Sequence, residues 1–250
     1  MDKYPLLFHA HHSQHNEDLQ FWLDLASSQG SPILELGCGS GRVLIHLVQA
    51  GHQVLGLDRD ANMLTFLKKQ CPNNFNDRLH LIQADMTAFC LRQDFPLIIC
   101  PCNTFSMLST QERQSALECS CLHLASAGLF VVALPNPQVL KKLPSQPQPE
   151  LEEIITHPIS GDPIQVSAAW NTSPKELIVD WFYDHLIPDG RVERTRIQIR
   201  HDLSTPEVLL DEIKNANLDP VNIFGDFDYS QFSENSPHMI ILAQKKSGNP

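Results

Sequence analysis

Three glycines at every second position mark the stretch of this sequence with the clearest chemistry. The segment 32–42 reads PILELGCGSGR, an apolar run with Glu35 in it, followed by Gly37, Gly39 and Gly41. Glycine lacks a Cβ and adopts positive φ, so a glycine-rich turn lets the backbone approach a ligand closely. A buried strand that leads straight into such a turn predicts a ligand-binding site.

The spacing of these glycines argues against a dinucleotide. The dinucleotide fingerprint is GxGxxG, with the pyrophosphate at the N-terminus of the following helix. Here the spacing is GxGxG, and Arg42 stands where the third glycine of that fingerprint would be. A nicotinamide-dependent oxidoreductase is therefore a disfavoured alternative.

Two aspartates follow the next two predicted strands. Asp58 ends the apolar run VLGLD, and Asp85 ends LIQAD. In parallel sheets the ligand lies beyond the carboxyl ends of the strands, so both acids are expected near the glycine turn. An acid in the place of Asp58 also suits a dinucleotide site, so Asp58 alone does not separate the two interpretations.

The first 135 residues alternate between strand and helix patterns, which predicts a parallel sheet with helices on both faces. Ser40 and Asp60 are expected to cap the second and third helices. The predicted strands are 33–36, 53–57, 79–84, 97–100 and 129–134, and the predicted helices are 14–28, 40–50, one that begins at Asp60, and 111–125.

The chain changes character after residue 135. Five prolines in residues 135–150 exclude a continuous helix or a central strand there. Alternating segments separated by SGDP and PDGR turns then predict a four-stranded antiparallel insertion, and a helix opened by Thr205 and Pro206 follows. We therefore predict an α/β domain of residues 1–135 and 202–250 and an insertion of residues 136–201. The predicted elements are strands 152–157, 164–170, 177–186 and 191–201, helix 205–217, and strands 220–224 and 238–244.

The segment ILELGCGSGR resembles the first motif, E/D-x-G-x-G-x-G, of the class I S-adenosylmethionine-dependent methyltransferases. The segments HHSQHNEDLQFWLDLA, CPCNTFSML and GDFDYSQFSENSPHMIILAQKK resemble a small-molecule-type branch of that family. The resemblance implies a doubly wound, seven-stranded, mostly parallel sheet whose last strand is antiparallel. It also implies an enzyme that transfers the sulfonium methyl of S-adenosylmethionine to a nucleophile and leaves S-adenosylhomocysteine.

The resemblance assigns cofactor roles to residues at the strand ends. Glu35 acts toward the ammonium group, Asp58 accepts from the ribose hydroxyls, Asp85 accepts from the adenine amino group, and Met63 packs against adenine. The full set of expected cofactor-binding residues is Glu35, Gly37, Cys38, Gly39, Gly41, Asp58, Arg59, Met63, Asp85, Met86 and Cys102.

The acceptor side is less well marked. His11, Asn103, Phe227 and Tyr229 are the expected acceptor-pocket residues, and the helix before the first strand is expected to close over the cofactor as a lid. No catalytic residue is assigned, because positioning and exclusion of water can supply much of the rate. The insertion is expected to cap the acceptor pocket, form a homodimer interface, or both. Its aromatic residues are expected mainly in its own core, with the acceptor or a second subunit as the alternative contact for some of them; they are Trp170, Trp181, Phe182 and Tyr183.

Composition limits the partners. The formal net charge of −11 repels polyanions, so nucleic acid is not an expected partner and a small-molecule acceptor is. No stretch reaches the length of a membrane span, and the start of the chain has no signal-peptide character, so we expect a cytoplasmic protein with no membrane partner. The alternative class is a protein that binds S-adenosylmethionine without turning it over, as a sensor or partner-binding subunit.

Cysteine and histidine patterns do not predict a metal. The seven cysteines include two CxC pairs and no CxxC, which fits reduced thiols rather than zinc or disulfides. The segment HAHHSQH brings four histidines together, but no nearby carboxylate or cysteine pattern completes a ligand set. We therefore expect no metal and interpret these histidines as solvated or lid-lining, with a base near the acceptor as the alternative role for one of them.

Overall fold

A computed structural model describes residues 4–72, 75 and 77–246. The outermost residues of the predicted α/β domain, 1–3 and 247–250, lie outside this range. The helices are α1 Tyr4–His12, α2 Leu19–Gln29, α3 Arg42–Gln49, α4 Ala61–Gln70, α5 Thr110–His123, α6 Pro137–Leu140 and α7 Pro206–Asn215. The strands are β1 Ile33–Leu36, β2 Val54–Asp58, β3 Leu79–Gln83, β4 Phe95–Cys100, β5 Leu124–Pro135, β6 Gln146–Thr156, β7 Pro163–Thr172, β8 Glu176–Leu186, β9 Val192–Asp202, β10 Leu218–Phe224 and β11 His238–Lys245.

A seven-stranded sheet forms the centre of the α/β part, in the order β10-β11-β5-β4-β1-β2-β3. Strand β11 is antiparallel to both of its neighbours, while β5, β4, β1, β2 and β3 pair in parallel. The predicted fold class, including the antiparallel last strand, is confirmed. Since β1 lies between β4 and β2, its carboxyl end is at the point where the strand order reverses, which is where ligands bind in such sheets.

The two faces of this sheet carry separate hydrophobic cores. Strand β1 is buried along its whole length, and its side chains alternate between the cores. Leu34 belongs to the core covered by α5 and α7, whereas Ile33 belongs to the core covered by α2, α3 and α4. Burial on both faces explains why these strands read as continuous apolar runs.

The four-stranded sheet has the order β6-β7-β8-β9 with antiparallel pairing throughout. Strand β6 begins at Gln146, inside the proline-rich stretch and before the predicted start at residue 152. Proline is tolerated there because β6 is an edge strand. Helix α1 packs on this sheet through Leu7, which joins a small core with Ile155 and Tyr183.

Besides the start of β6, three other predicted features were wrong. The predicted helix over 14–28 is α2, which begins only at Leu19, and α1 before it was not predicted. Ser40 does not cap α3, because the N-cap is Gly41 in the left-handed region with no side-chain cap bond. Strand β5 begins at Leu124 rather than at 129. The predicted cap of α4 is confirmed, since the Asp60 side chain accepts from the backbone N–H of Asn62.

Within the described part of the chain, no helix is long and apolar enough to cross a membrane.

Candidate functional site

The glycine turn is held against strand β2 by backbone hydrogen bonds. The N–H groups of Gly37 and Cys38 both donate to the carbonyl of Leu57, at 2.8 and 3.1 Å. Gly37 and Gly39 have positive φ, and a Cβ at Gly37 would lie 2.6 Å from Thr104 Cγ2. At Gly39 the added atom would meet nothing closer than 4.0 Å, so that position faces open space where a ligand can approach the backbone.

Glu35 is a buried carboxyl group with one unsatisfied oxygen. The residue is 2% exposed, and its Oε2 has no hydrogen-bond partner among the described residues. Burial raises the pKa of Glu35 to about 8, against the opposing effect of Arg42. Because a buried polar atom without a partner is costly, this oxygen fits a cationic or hydrogen-donating ligand group.

Asp58 connects the glycine turn to the start of α4. Its Oδ2 accepts from the Gly39 N–H at 2.7 Å, and its Oδ1 accepts from the Asp60 N–H at 2.8 Å. A carboxylate oxygen has a second lone pair, so both oxygens keep capacity for a ligand hydroxyl.

Asp85 occupies the corresponding place after β3. Its Oδ1 accepts from both the backbone N–H and the hydroxyl of Thr87, each at 2.8 Å, and these bonds lower the pKa of Asp85. The carboxylate is therefore ionised and fixed at the rim of the site.

Arg42 joins the glycine turn to the N-terminal segment. Its two terminal nitrogens donate to the two carboxylate oxygens of Asp18, both at 2.6 Å, and one of them also contacts Cys102 Sγ at 3.0 Å. Asp18 also accepts from Trp22 Nε1 at 2.9 Å. The residue that separates this motif from the dinucleotide fingerprint thus fixes the start of α2 beside the turn.

A cavity of about 920 Å³ opens beyond the carboxyl ends of β1, β2, β3 and β4. It brings together ten of the eleven expected cofactor residues and two of the four expected acceptor residues. These are Glu35, Gly37, Cys38, Gly39, Asp58, Arg59, Met63, Asp85, Met86 and Cys102, with Asn103 and Phe227. A second hollow, of about 1030 Å³ along β3 and α4, contains none of the expected cofactor or acceptor residues.

Three expected site residues do not line the cavity. A Cβ at Gly41 would lie 2.3 Å from Leu67 Cδ1, so packing against α4 requires glycine at this position. The Tyr229 hydroxyl donates to Asp24 at 3.1 Å on the outer side of α2. His11 is buried behind the wall, where its Nδ1 pairs with Tyr183 Oη at 2.9 Å.

The opposite wall contains residues that were not among the expected cofactor and acceptor residues. Thr104, Met107, His201 and His238 line it together with Trp181 from the insertion. Trp181 is one of the aromatic residues that were expected mainly in the core of the insertion. His201 could not be recognised from the sequence, because it lies at the end of one of four similar alternating strands.

The wall histidines are neutral at physiological pH. Burial lowers the pKa of His201 to about 4, and its Nδ1 pairs with Ser106 Oγ at 2.8 Å. Burial also lowers the pKa of His238, whose Nδ1 has no partner among the described residues. A neutral imidazole has one ring nitrogen that donates a hydrogen bond and one that accepts, so both rings can orient a bound acceptor.

The turn after β4 is held in an uncommon conformation. Cys102 and Asn103 are consecutive residues with φ near +60°, a region that residues other than glycine seldom adopt. Both face the cavity. Cys102 lies inside the cavity, where its side chain is surrounded by protein atoms but is still reached by solvent. Desolvation at this place raises the pKa of the Cys102 thiol to about 11. The thiol is therefore not a nucleophile at neutral pH.

Three histidines converge at the end of α1. One ring nitrogen from each of His11, His12 and His15 lies within 4.8 Å of the others. The sequence indicated no carboxylate near them, but the insertion places Glu153 Oε1 3.1 Å from His11 Nε2. Burial lowers the pKa of His11 to about 4 and that of His12 to about 3, so neither ring carries a charge at neutral pH.

Comparison with known proteins agrees with this geometry. Residues 33–128 match the family model of a methyltransferase domain. Over 107 residues, 42% of this chain, the sequence is 31% identical to the dTDP-3-amino-3,6-dideoxy-α-D-glucopyranose N,N-dimethyltransferase of Streptomyces fradiae. The alignments cover between 40% and 55% of the length of the curated relatives.

Two solved structures share the fold over nearly the whole chain. An S-adenosylmethionine-dependent methyltransferase from Clostridium acetobutylicum superposes with a TM-score of 0.81 at 12% identity, covering 98% of this chain and 100% of the other. CalS10, an amino pentose methyltransferase of Micromonospora echinaspora with S-adenosylmethionine bound, superposes with a TM-score of 0.74 at 15% identity and 98% coverage of both chains.

Proposed function

We propose that this protein transfers the methyl group of S-adenosylmethionine to an amine of a small-molecule acceptor. Residues 33–128 match the family model of a methyltransferase domain, which supports this reaction. A neutral amine attacks the electrophilic methyl group in line, the methyl–sulfur bond breaks to leave S-adenosylhomocysteine, and the methylated amine then loses a proton to a base or to water.

The observation that carries the proposal is the unsatisfied Glu35 oxygen beside the open backbone at Gly39. The ammonium group of S-adenosylmethionine can pair with the Glu35 oxygen. Its methionine portion can pack closely against the backbone at Gly39. We assign the ribose hydroxyls to Asp58, because its two oxygens are held in place by backbone N–H groups and keep free lone pairs. We assign the adenine edge to Asp85 and Met86 and one adenine face to Met63.

The cavity continues past the cofactor half, which supports catalysis over binding without turnover. A sensor that only binds the cofactor would have this space filled. Here the space is bounded by Thr104, Trp181, His201, Phe227 and His238. Asp226, one of its acids, attracts a cationic amine, and its neutral histidines offer ring nitrogens that can hydrogen-bond the acceptor.

The chemistry of the relatives supports an amino sugar as the class of acceptor. The S. fradiae relative is an N,N-dimethyltransferase of a nucleotide-linked amino sugar, and CalS10 is an amino pentose methyltransferase. A cavity of about 920 Å³ has room for the cofactor and part of such an acceptor together, with the remainder extending outward.

We further propose a reducing, cytoplasmic setting with no nucleic-acid partner. All seven cysteines, each within the described residues, are free of disulfide bonds, and the net charge is −11.

The four-stranded sheet leaves Leu151, Ile154 and Val192 exposed, which supports its use as a homodimer interface.

Calorimetric titration with S-adenosylmethionine, S-adenosylhomocysteine and NAD tests the cofactor assignment. We expect micromolar binding of both adenosyl ligands and none of NAD. Failure of folded, ligand-free protein to bind either adenosyl ligand would overturn the proposal.

Incubation with S-adenosylmethionine and nucleotide-linked amino sugars, followed by mass spectrometry, tests the reaction. We expect mass gains of one or two methyl groups on the amine. Methylation of matched hydroxy sugars instead would contradict the amine assignment. If the protein binds S-adenosylmethionine tightly but binds none of the sugars, the result would favour a protein that binds the cofactor without turning it over.

A further inference from the structure

The end of α1 holds three imidazoles around one point, next to a carboxylate from the insertion. His11 and His12 stack with ring centroids 4.3 Å apart, and His15 lies 6.1 and 6.3 Å from them. From these contacts we propose that His11, His12 and His15 bind a zinc ion that ties α1 to the four-stranded sheet. This proposal does not depend on the proposed methyl transfer.

The donor atoms reach the spacing of zinc ligands after a contraction of up to about 1.5 Å. One nitrogen from each ring lies within 4.8 Å of the others. Two ligands about 2.0–2.1 Å from a tetrahedral zinc are about 3.3 Å apart. His15 supplies the movement needed, because it is exposed and lies in the turn after the last residue of α1, whereas His11 and His12 are held in the helix.

His12 has a nitrogen that the protein leaves unsatisfied. Its Nε2 is buried and has no hydrogen-bond partner among the described residues. A buried imidazole nitrogen without a partner is costly, and a neutral imidazole nitrogen is a common ligand of zinc. This nitrogen is an observation separate from the clustering of the three rings.

His11 is already oriented as a ligand would be. One of its nitrogens pairs with Tyr183 Oη and the other with Glu153 Oε1. A metal at one nitrogen leaves the other to keep its partner, which fixes the tautomer and the direction of the ring. Glu153 lies on β6 and Tyr183 on β8, so a metal here would connect α1 to both strands.

A fourth ligand completes the tetrahedron. The 3.1 Å between His11 Nε2 and Glu153 Oε1 is close to the separation of two ligands on one zinc, so a small shift of Glu153 supplies an oxygen ligand. Water from the cavity, which His12 and His15 line, supplies the alternative. Imidazole ligands with one oxygen suit zinc better than magnesium or calcium, which prefer oxygen ligands alone.

Zinc titration of tag-free protein, stripped of metal with a chelator and then dialysed, tests the site. We expect one zinc ion per chain with a dissociation constant in the micromolar range or below. Cobalt(II) should give the intense visible absorption bands of a tetrahedral site, and zinc should abolish them.

Two variants and a matched control locate the site. H12A and H15A should each weaken zinc binding at least tenfold, while H80A should leave it unchanged, because His80 is exposed on the edge strand β3. H15A removes an exposed side chain, so it keeps the test valid if H12A fails to fold. Binding by neither zinc nor cobalt up to 100-fold molar excess, or equal zinc affinity in wild type, H12A and H15A, would overturn the proposal.

Discussion

The Asp58 carboxylate accepts a hydrogen bond from the backbone N–H of Gly39 at 2.7 Å. This bond links the end of β2 to the tip of the glycine turn. Asp58, which we assign to the ribose hydroxyls, therefore also fixes the Gly39 backbone, which we assign to the methionine portion of the cofactor. Two parts of the site that are 19 residues apart in the sequence are therefore coupled.

Replacing Asp58 with alanine should weaken S-adenosylmethionine binding by about 1.5–3 kcal/mol, because charge-assisted hydrogen bonds to a ligand are lost. Calorimetry on D58A and wild type measures the difference. D94A, which removes an exposed aspartate before β4, serves as the control and should bind like wild type. Unchanged affinity in D58A would remove the ribose assignment.

Much of the cofactor half could be predicted because its signals are local. The strand β1, the glycine spacing and the acids at the ends of β2 and β3 follow each other within about 50 residues. The fold fixes where the carboxyl ends of parallel strands meet, so their order along the chain was enough to place Glu35, Gly39, Asp58 and Asp85 around one cavity.

Apart from Asn103 and Phe227, the acceptor half could not be predicted because its contacts join distant parts of the chain. His201, for example, meets Ser106 across 95 residues. Helix α1 was missed for a related reason. It is short, and Leu7 is buried only by packing on a sheet that forms more than 140 residues later.

Gly41 illustrates a motif residue for which the structure shows a packing role. Its φ of +86° and the 2.3 Å approach to Leu67 make it a packing requirement. G41A should lower the free energy of unfolding by about 1–2 kcal/mol for the left-handed backbone and about 2 kcal/mol more for the clash with a buried leucine. Urea denaturation measures both effects together.

G190A separates the two contributions. Gly190 has a φ of +89°, but nothing lies within 4 Å of an added Cβ. G190A should therefore show only the backbone cost. Equal losses in G41A and G190A would mean that Leu67 moves aside at little cost.

The buried carboxyl of Glu35 should make the ligand-free protein less stable as pH rises. Its folded pKa of about 8 is above the usual value of 4.5, so between these values the unfolded state releases a proton that the folded state retains. The contribution of Glu35 to the free energy of unfolding is therefore largest below pH 4.5. It decreases as the pH rises from 4.5 to about 8.

E35Q should flatten that decline. Urea unfolding at pH 5.5 and pH 8.0 should show a smaller loss between the two values in E35Q than in wild type. E152Q, which alters an exposed glutamate on β6, should follow wild type. If E35Q loses as much unfolding free energy between pH 5.5 and pH 8.0 as wild type does, groups other than Glu35 cause the loss.

The Arg42–Asp18 pair should be the main support of the N-terminal segment. Asp18 is 6% exposed and accepts from both Arg42 and Trp22, so alanine there leaves a nearly buried guanidinium and an indole N–H without their partner. D18A should lower the free energy of unfolding by about 3 kcal/mol. It should also increase proteolytic cleavage between α1 and α2, since Arg42 then holds that segment only through the backbone carbonyl of His15.

The matched control is D24A, six residues along. Asp24 bonds Gln20 and Tyr229 at the exposed side of α2, where such contacts contribute less than about 1 kcal/mol. Denaturation and limited proteolysis of the two variants together distinguish a general loss of acidic charge from the loss of this pair. If D24A lost as much stability as D18A, the ion pair would not be what holds the segment.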